Sequence, residues 1–297
     1  MSGIKDEIYT LLNNIQVRPD CSMIVSRCDA YDFLNNSKPN LINLVERYYE
    51  VVVTSGEYTG YSLNIKLSDF YSMLMEPSIQ PIAILGGINV KQIQKKNGSE
   101  NFVDKDSSYK AGEALVDDKN SLEIMGIAVF KDDKLVGELN GIETIAHLLL
   151  TDQLNDCTVN VSDPFNENSV ITLSINEQKT PQNRVRMVNN SPYIESKIYL
   201  NANILSLNNN SDYSDDENLK ILGKYVDSYI KSHVESYLYK TSKELNSDII
   251  GFGRKTWIYS LDLNNWSKRN WLDNYKNSIF NVQVYTNVKN SFLILKT

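Results

Sequence analysis

Histidine and cysteine are both scarce in this chain of 297 residues: it has two of the first and three of the second. His147 has Thr151 four residues on, which excludes the helical pair that commonly grips a metal. Both His147 and His233 read as structural or surface residues. Cys21, Cys28 and Cys157 form no CxxC pair. An odd number at these spacings allows one disulfide at most, and the plainer reading is three small residues in a chain that does not depend on bridges. Neither set supplies ordinary zinc coordination, so no metal and no cofactor are expected.

Catalytic signatures are missing too. There is no GxSxG elbow, and nothing local activates Cys157 as a nucleophile. Gly251-Phe252-Gly253 lacks the third glycine of a dinucleotide fingerprint, because position 256 is Thr. It also follows a helical pattern instead of opening one, so a helix-ending turn is the expected role. Asp132 and Asp133 sit at a hairpin tip without the further acids of a calcium loop, which makes them a solvated turn. With no cluster of acid, base and nucleophile, the chain does not read as an enzyme.

Long apolar runs are absent. No window approaches the ~18 consecutive apolar residues of a membrane span, and Met1 to Lys5 lack a basic stretch followed by an apolar core. The sequence as it stands reads as soluble. Positive charge also falls short: 30 Lys and Arg against 37 Asp and Glu give a formal charge of −7. Such a surface repels phosphate backbones, so nucleic acid is not an expected partner.

What is present suits a folded protein of two compact units, with 41% hydrophobic and 23% charged residues. Residues 1–150 read as an N-terminal α+β domain. Helical spacing recurs in Ile4 to Ile15, Leu41 to Val53 and Leu67 to Met75, with Ser68 as an N-cap. Cys21 to Cys28 and Ile82 to Leu85 read as short strands, and polar residues 94–120 as an exposed loop. Ile124 to Phe130 and Leu135 to Leu139 flank Lys131-Asp132-Asp133-Lys134, a hairpin pattern, and a short helix covers Ile142 to Leu150.

Residues 151–297 read as a C-terminal α+β domain, with 151–190 a candidate for a small middle domain of its own. Strand alternation marks 158–161, 170–175, 184–188 and 194–207. In the last, Ile194, Ile198, Leu200, Ala202 and Ile204 share one parity, which leaves a wet face opposite. Ser214 and Glu217 form a capping-box pattern, and Leu219, Leu222, Val226, Ile230, Val234 and Leu238 continue at helical spacing. A long amphipathic helix over 214–246 should lie on the C-terminal sheet, and Phe280 to Val288 alternate as a closing strand. The fold class is α+β, multi-domain, with mixed or antiparallel sheets and packed helices.

Three segments carry a resemblance. Met125 to Leu139 with Glu143-Thr144, Tyr237 to Gly253, and Trp266 and Trp271 followed by 280–288 are similar, in this order, to the Ger(x)C family of spore germinant-receptor C subunits. The resemblance implies a non-catalytic lipoprotein at the outer face of the spore inner membrane, working with two integral-membrane partners, the A and B subunits. It implies membrane attachment through a lipidated N-terminal Cys that this chain does not show, since none of its cysteines has a lipobox-like context. The sequence therefore reads as starting inside the N-terminal domain. Asn290 stands where the family often has Gly.

The candidate interaction surface is Asp248, Phe252, Arg254, Trp266 and Trp271. Asp248 and Arg254 either pair with each other or face a partner, and Phe252 either fills the core or projects from the turn. The alternative function is a solute-binding module that holds the germinant directly. A deep pocket lined by Trp266, Trp271 and Tyr275 would favour it, whereas a flat polar or aromatic patch would favour protein contact.

Overall fold

A computed structural model describes residues 3–35, 45–89, 108–114, 122–189, 191–207, 211–257 and 271–289. The apolar run that starts at Ile82 becomes β2 (Ile82–Ile88), with β1 (Ile24–Ser26) parallel on one side of it. The hairpin β3 (Leu122–Lys131) and β4 (Lys134–Leu139) lies on the other, giving a sheet in the order β1-β2-β3-β4. The hairpin closes on Asp132 and Asp133, with Asp132 at φ 53°. Helices α1 (Lys5–Asn13), α2 (Ala30–Asn35), α3 (Val45–Thr59) and α4 (Leu67–Met75) accompany this sheet. Helix α4 starts one residue before the expected Ser68 cap, and the Lys66 N–H donates to the Asp69 carboxylate at 3.1 Å. Most of the expected loop 94–120 lies outside the described residues. Its described part packs inward: Ala111 is fully buried, and its carbonyl accepts from Arg27 at 2.9 Å.

Helix α5 (Gly141–Thr151) joins the halves. Asn140 caps it reciprocally with Glu143, at 2.9 and 2.8 Å. Nine of its eleven residues are buried, because it is sandwiched between elements instead of lying at the surface.

The second sheet runs β5 (Cys157–Asp163), β6 (Asn166–Val188), β7 (Ser191–Leu207) and β8 (Ile279–Lys289). Residues 151–190 are not a separate unit: β5 and β6 are hydrogen-bonded members of this sheet. The expected strands 170–175 and 184–188 are one strand. It passes Pro181 through register shifts around Glu177, Lys179 and Gln182, where a missing N–H disturbs no regular ladder. Strand β8 pairs parallel to β7.

Helix α6 (Asp216–Tyr239) lays Leu222, Val226, Ile230, Val234, Tyr237 and Leu238 into the core and ends in a π turn, Lys240–Glu244. Its cap is Asp215, not Ser214. Asp215 accepts from the Glu217 N–H at 3.2 Å, while the Ser214 hydroxyl is taken by Asp212 at 2.6 Å. Two short helices follow, α7 (Phe252–Trp257) and α8 (Trp271–Tyr275). One buried cluster runs from Ile82, Ile84 and Ile127 of the first sheet through α5 to Leu173, Leu200 and Val282 of the second. The two sheets therefore share a core.

Candidate functional site

The turn after α6 is the site that the sequence singled out, and it faces inward. Asp248 is fully buried, and its carboxylate accepts four hydrogen bonds: Gly251 N–H at 3.0 Å, Phe252 N–H at 3.2 Å, Gly253 N–H at 2.8 Å and Trp271 Nε1–H at 2.7 Å. The side chain satisfies the free N–H groups at the start of α7, as an N-cap does. Gly251 takes φ 79°, a left-handed conformation that costs glycine little. At Gly253 a Cβ would lie 2.6 Å from the Ser78 carbonyl oxygen, so the backbone fits there only without a side chain. Burial pushes the Asp248 carboxyl up to about 6, against the opposing pull of its four donors.

Of the five candidate interaction residues, three are turned inward by this arrangement. Phe252 is fully buried against Tyr275 and Trp271 is 6% exposed, so neither, like Asp248, projects to a partner from this chain. Arg254 does not pair with Asp248. Its guanidinium grips Glu76 in a two-point contact at 2.7 and 2.6 Å. Trp266 lies outside the described residues. The signal missed in the sequence is an Asp followed at i+3 and i+5 by glycine, just after a helix.

The turn also stitches the halves together. The Gln80 N–H donates to the Asp248 carbonyl at 2.9 Å, and the Ser247 hydroxyl donates to the Phe130 carbonyl at 2.6 Å. At the start of α5, Lys240 reaches Glu143 at 2.8 Å and the Glu138 carbonyl at 2.9 Å.

Beside the turn, a cleft of about 900 Å³ opens between the halves, its lining including Asn64, Asp69, His147, Asn183, Gly251 and Arg254. Trp271 and Tyr275 do not line it. His147 shares a hydrogen bond with the Tyr237 hydroxyl at 2.7 Å, and burial pushes its imidazole down to about 4, so it stays neutral. The Asn183 amide nitrogen donates to the Leu150 carbonyl at 2.8 Å, while its Oδ1 has no partner. Near the same rim, burial and a hydrogen bond to Asp152 raise Glu177 to about 8. Glu177 therefore keeps its proton at neutral pH.

The remaining feature is the face of the second sheet turned away from the helices. Along β7 the even positions from 192 to 204 are buried and the odd ones are not. The outward rings of Tyr199 and Tyr285 stack at 5.2 Å and 15°, and the Lys179 ammonium sits 3.6 Å over Tyr199. It is a polar and aromatic patch.

The comparisons with known proteins bear on both halves. The pattern of the spore germination protein N-terminal domain matches residues 1–86. That of the family described as spore germination B3/GerAC like, C-terminal, matches residues 125–291, more than half of the chain. The chain belongs to the GerAC-like spore germination family. Among relatives, the spore germination protein GerQC of Bacillus cereus is 25% identical over 174 residues, which is 58% of this chain and 46% of that protein. YfkR of Bacillus subtilis (strain 168), also named for spore germination, is 24% identical over 297 residues, 99% of this chain and 69% of that protein. The chain thus matches less than half the length of GerQC. The crystal structure of the GerBC protein superposes with a TM-score of 0.67 over 97% of this chain and 75% of that one, at 13% identity, which establishes a shared fold. In GerAC-like terms, the Asp248 turn lies in the C-terminal matched segment, while its partners Glu76, Ser78 and Gln80 lie in the N-terminal one. The turn is one place where the two matched segments touch, and the β2–β3 pairing is another.

Proposed function

We propose that this chain is part of the C subunit of a nutrient-germinant receptor and works by protein–protein contact, without catalysis. Its partners on this reading are the A and B integral-membrane subunits, at the outer face of the spore inner membrane. The full-length protein is held there by a lipidated N-terminal Cys. Membership of the GerAC-like family supports the receptor role. The single observation that supports the contact mechanism is the polar outward face of the second sheet, with its stacked Tyr199 and Tyr285. Tyrosine and arginine on such a face suit the centre of a protein interface. No described helix is long and apolar enough to cross a membrane, so on this reading the membrane partners supply the spanning segments. The test is co-purification of the full-length, lipidated protein with its co-expressed membrane subunits, repeated with variants of surface residues. Wild-type protein that comes away alone under conditions that keep the membrane subunits folded refutes the reading.

A second reading has its own observation: the polar cleft of about 900 Å³ with the unpartnered Asn183 Oδ1. It makes the chain a solute-binding module for the germinant itself. Calorimetric titration with amino acids and sugars tests it, with Asn183→Ala as control. Saturable heat that the variant loses supports direct binding, and no heat at millimolar solute removes this reading.

A further inference from the structure

The outward face of the second sheet has a charge opposite to that of the molecule. Register fixes which side chains share it. Arg184 stands opposite Glu195, Arg186 opposite Tyr193, Gln182 opposite Lys197, Lys179 opposite Tyr199, and Asn203 opposite Lys289. Directly paired residues point to the same side of a sheet. All of these join the odd-numbered, unburied row of β7. Among the described residues, the face therefore carries five cations, Lys179, Arg184, Arg186, Lys197 and Lys289. The carboxylates placed on it among the described residues are Glu195, which pairs with Arg186, and Asp156, which accepts from the outward Ser174 hydroxyl at 3.0 Å. The chain as a whole has a formal charge of −7. Arg184, Lys197 and Lys289 have no acidic partner among the described residues.

We propose that this face docks a carboxylate-bearing surface of a partner protein, with Arg184 and Lys197 meeting its acids and the Tyr199–Tyr285 stack packing at the centre. Three features select this occupant. Unpaired cations grouped on one face of an acidic molecule attract acids and repel a second copy's acidic remainder. Arginine offers a planar fork of donors that matches a carboxylate at two points. The surface between the cations is made of tyrosine rings and amide side chains such as Asn201 and Gln283, which suit a protein interface. A bilayer surface is more commonly held by an amphipathic helix with an inserted apolar face.

The proposal rests on the protein-contact reading above, and the experiment separates their failures. The full-length lipidated chain is co-expressed with its receptor's membrane subunits and purified as wild type, as the double variant Arg184→Glu/Lys197→Glu, and with Tyr285→p-benzoylphenylalanine for photocrosslinking. Neither residue has an ion pair among the described residues, but Arg184→Glu sets a carboxylate opposite Glu195. The neutral double variant Arg184→Gln/Lys197→Gln, expected to melt at the wild-type temperature and to lose recovery in the same direction, is therefore purified beside it. The expected result is recovery of a membrane subunit reduced about tenfold or more in the double variant, with wild-type recovery falling as salt rises. The crosslink from position 285 should map to an Asp- and Glu-containing segment of that subunit. Wild-type recovery by a folded double variant overturns the proposal and leaves the receptor reading standing. A crosslink to phospholipid or to a second copy of this chain also overturns it, by naming a different occupant. Wild-type protein that recovers no subunit overturns both.

Discussion

The Asp248 carboxylate holds the Trp271 indole N–H at 2.7 Å, and both side chains are buried. This bond ties α8 to the start of α7, and the same carboxylate ties down three backbone N–H groups. Every neighbour of those oxygens is a donor. An ionised acceptor is therefore what the site requires, although burial alone favours the neutral acid.

Asp248→Asn keeps the shape and puts an NH2 group where an acceptor stood. Whichever way the amide turns, it meets two N–H donors, and Oδ2 alone serves Gly253 and Trp271. The expected loss of stability is about 3 kcal/mol or more, since buried groups are left unpaired. Glu76→Gln should lose less than about 1 kcal/mol, because its ion pair with Arg254 is half exposed. Urea unfolding of the two variants, with Trp271 among the fluorophores, checks the contrast. Equal losses would refute this account of the turn.

Phe252→Ala should cost about 3–5 kcal/mol, the range for truncating a fully buried aromatic. Thermal melts of the purified variant decide this. An unchanged melting temperature would mean that Phe252 is not part of the core.

Acid should weaken the fold through His147. Its folded pKa lies at about 4, below the ordinary 6.5, so between these values the unfolded chain binds more protons and stability falls as pH falls. The full loss from this group is about 3 kcal/mol, and His147→Gln should remove it. Glu177 acts in the opposite direction. Raised to about 8 from 4.5, it adds stability that is complete below pH 4.5 and lost as pH rises through 8. Denaturation midpoints from pH 4 to 9 should show Glu177→Gln flattening the alkaline limb while the acid limb persists. Parallel curves for wild type and both variants would contradict both assignments.

The cysteines should separate in reactivity. All three are free: Cys21 is exposed, Cys28 is partly buried, and Cys157 is buried, with a thiol pushed up to about 12. A thiol reagent in native buffer should modify Cys21 first and leave Cys157 untouched until the chain is unfolded. Mass spectrometry of the labelled peptides provides the order.

Elements with a strong local period were legible in the sequence, and those set by distant partners were not. The β3–β4 hairpin and the apolar stripe of α6 follow from neighbours in the chain. The N-cap of α6 moved from Ser214 to Asp215 because Asp212 competes for the Ser214 hydroxyl, a contest between residues two apart that a motif cannot rank. Strand β6 continues across Pro181 because the bulges there free it from the ladder. The parallel seam of β7 and β8, from Tyr193–Ile279 to Asn203–Lys289, joins segments far apart in sequence. Phe252 shows the same division at the site. Its place in a Gly-Phe-Gly turn was visible, but its inward direction depends on Asp248 gathering the N–H groups around it. The charge on the outer sheet face emerges only from the pairing of β6 with β7, since Arg184 and Lys197 are ordinary surface cations when read singly.

Helix α5 has consequences for how force would pass through the molecule. Nine of its eleven residues are buried, and at its start Glu143 is clamped by Lys240 from the far half. A connector of this kind does not bend like a linker. A push on the first sheet, such as a neighbour changing shape, would tilt the second sheet as one lever. The tyrosine pair on its outer face would sweep an arc set by the length of strands β6 and β7.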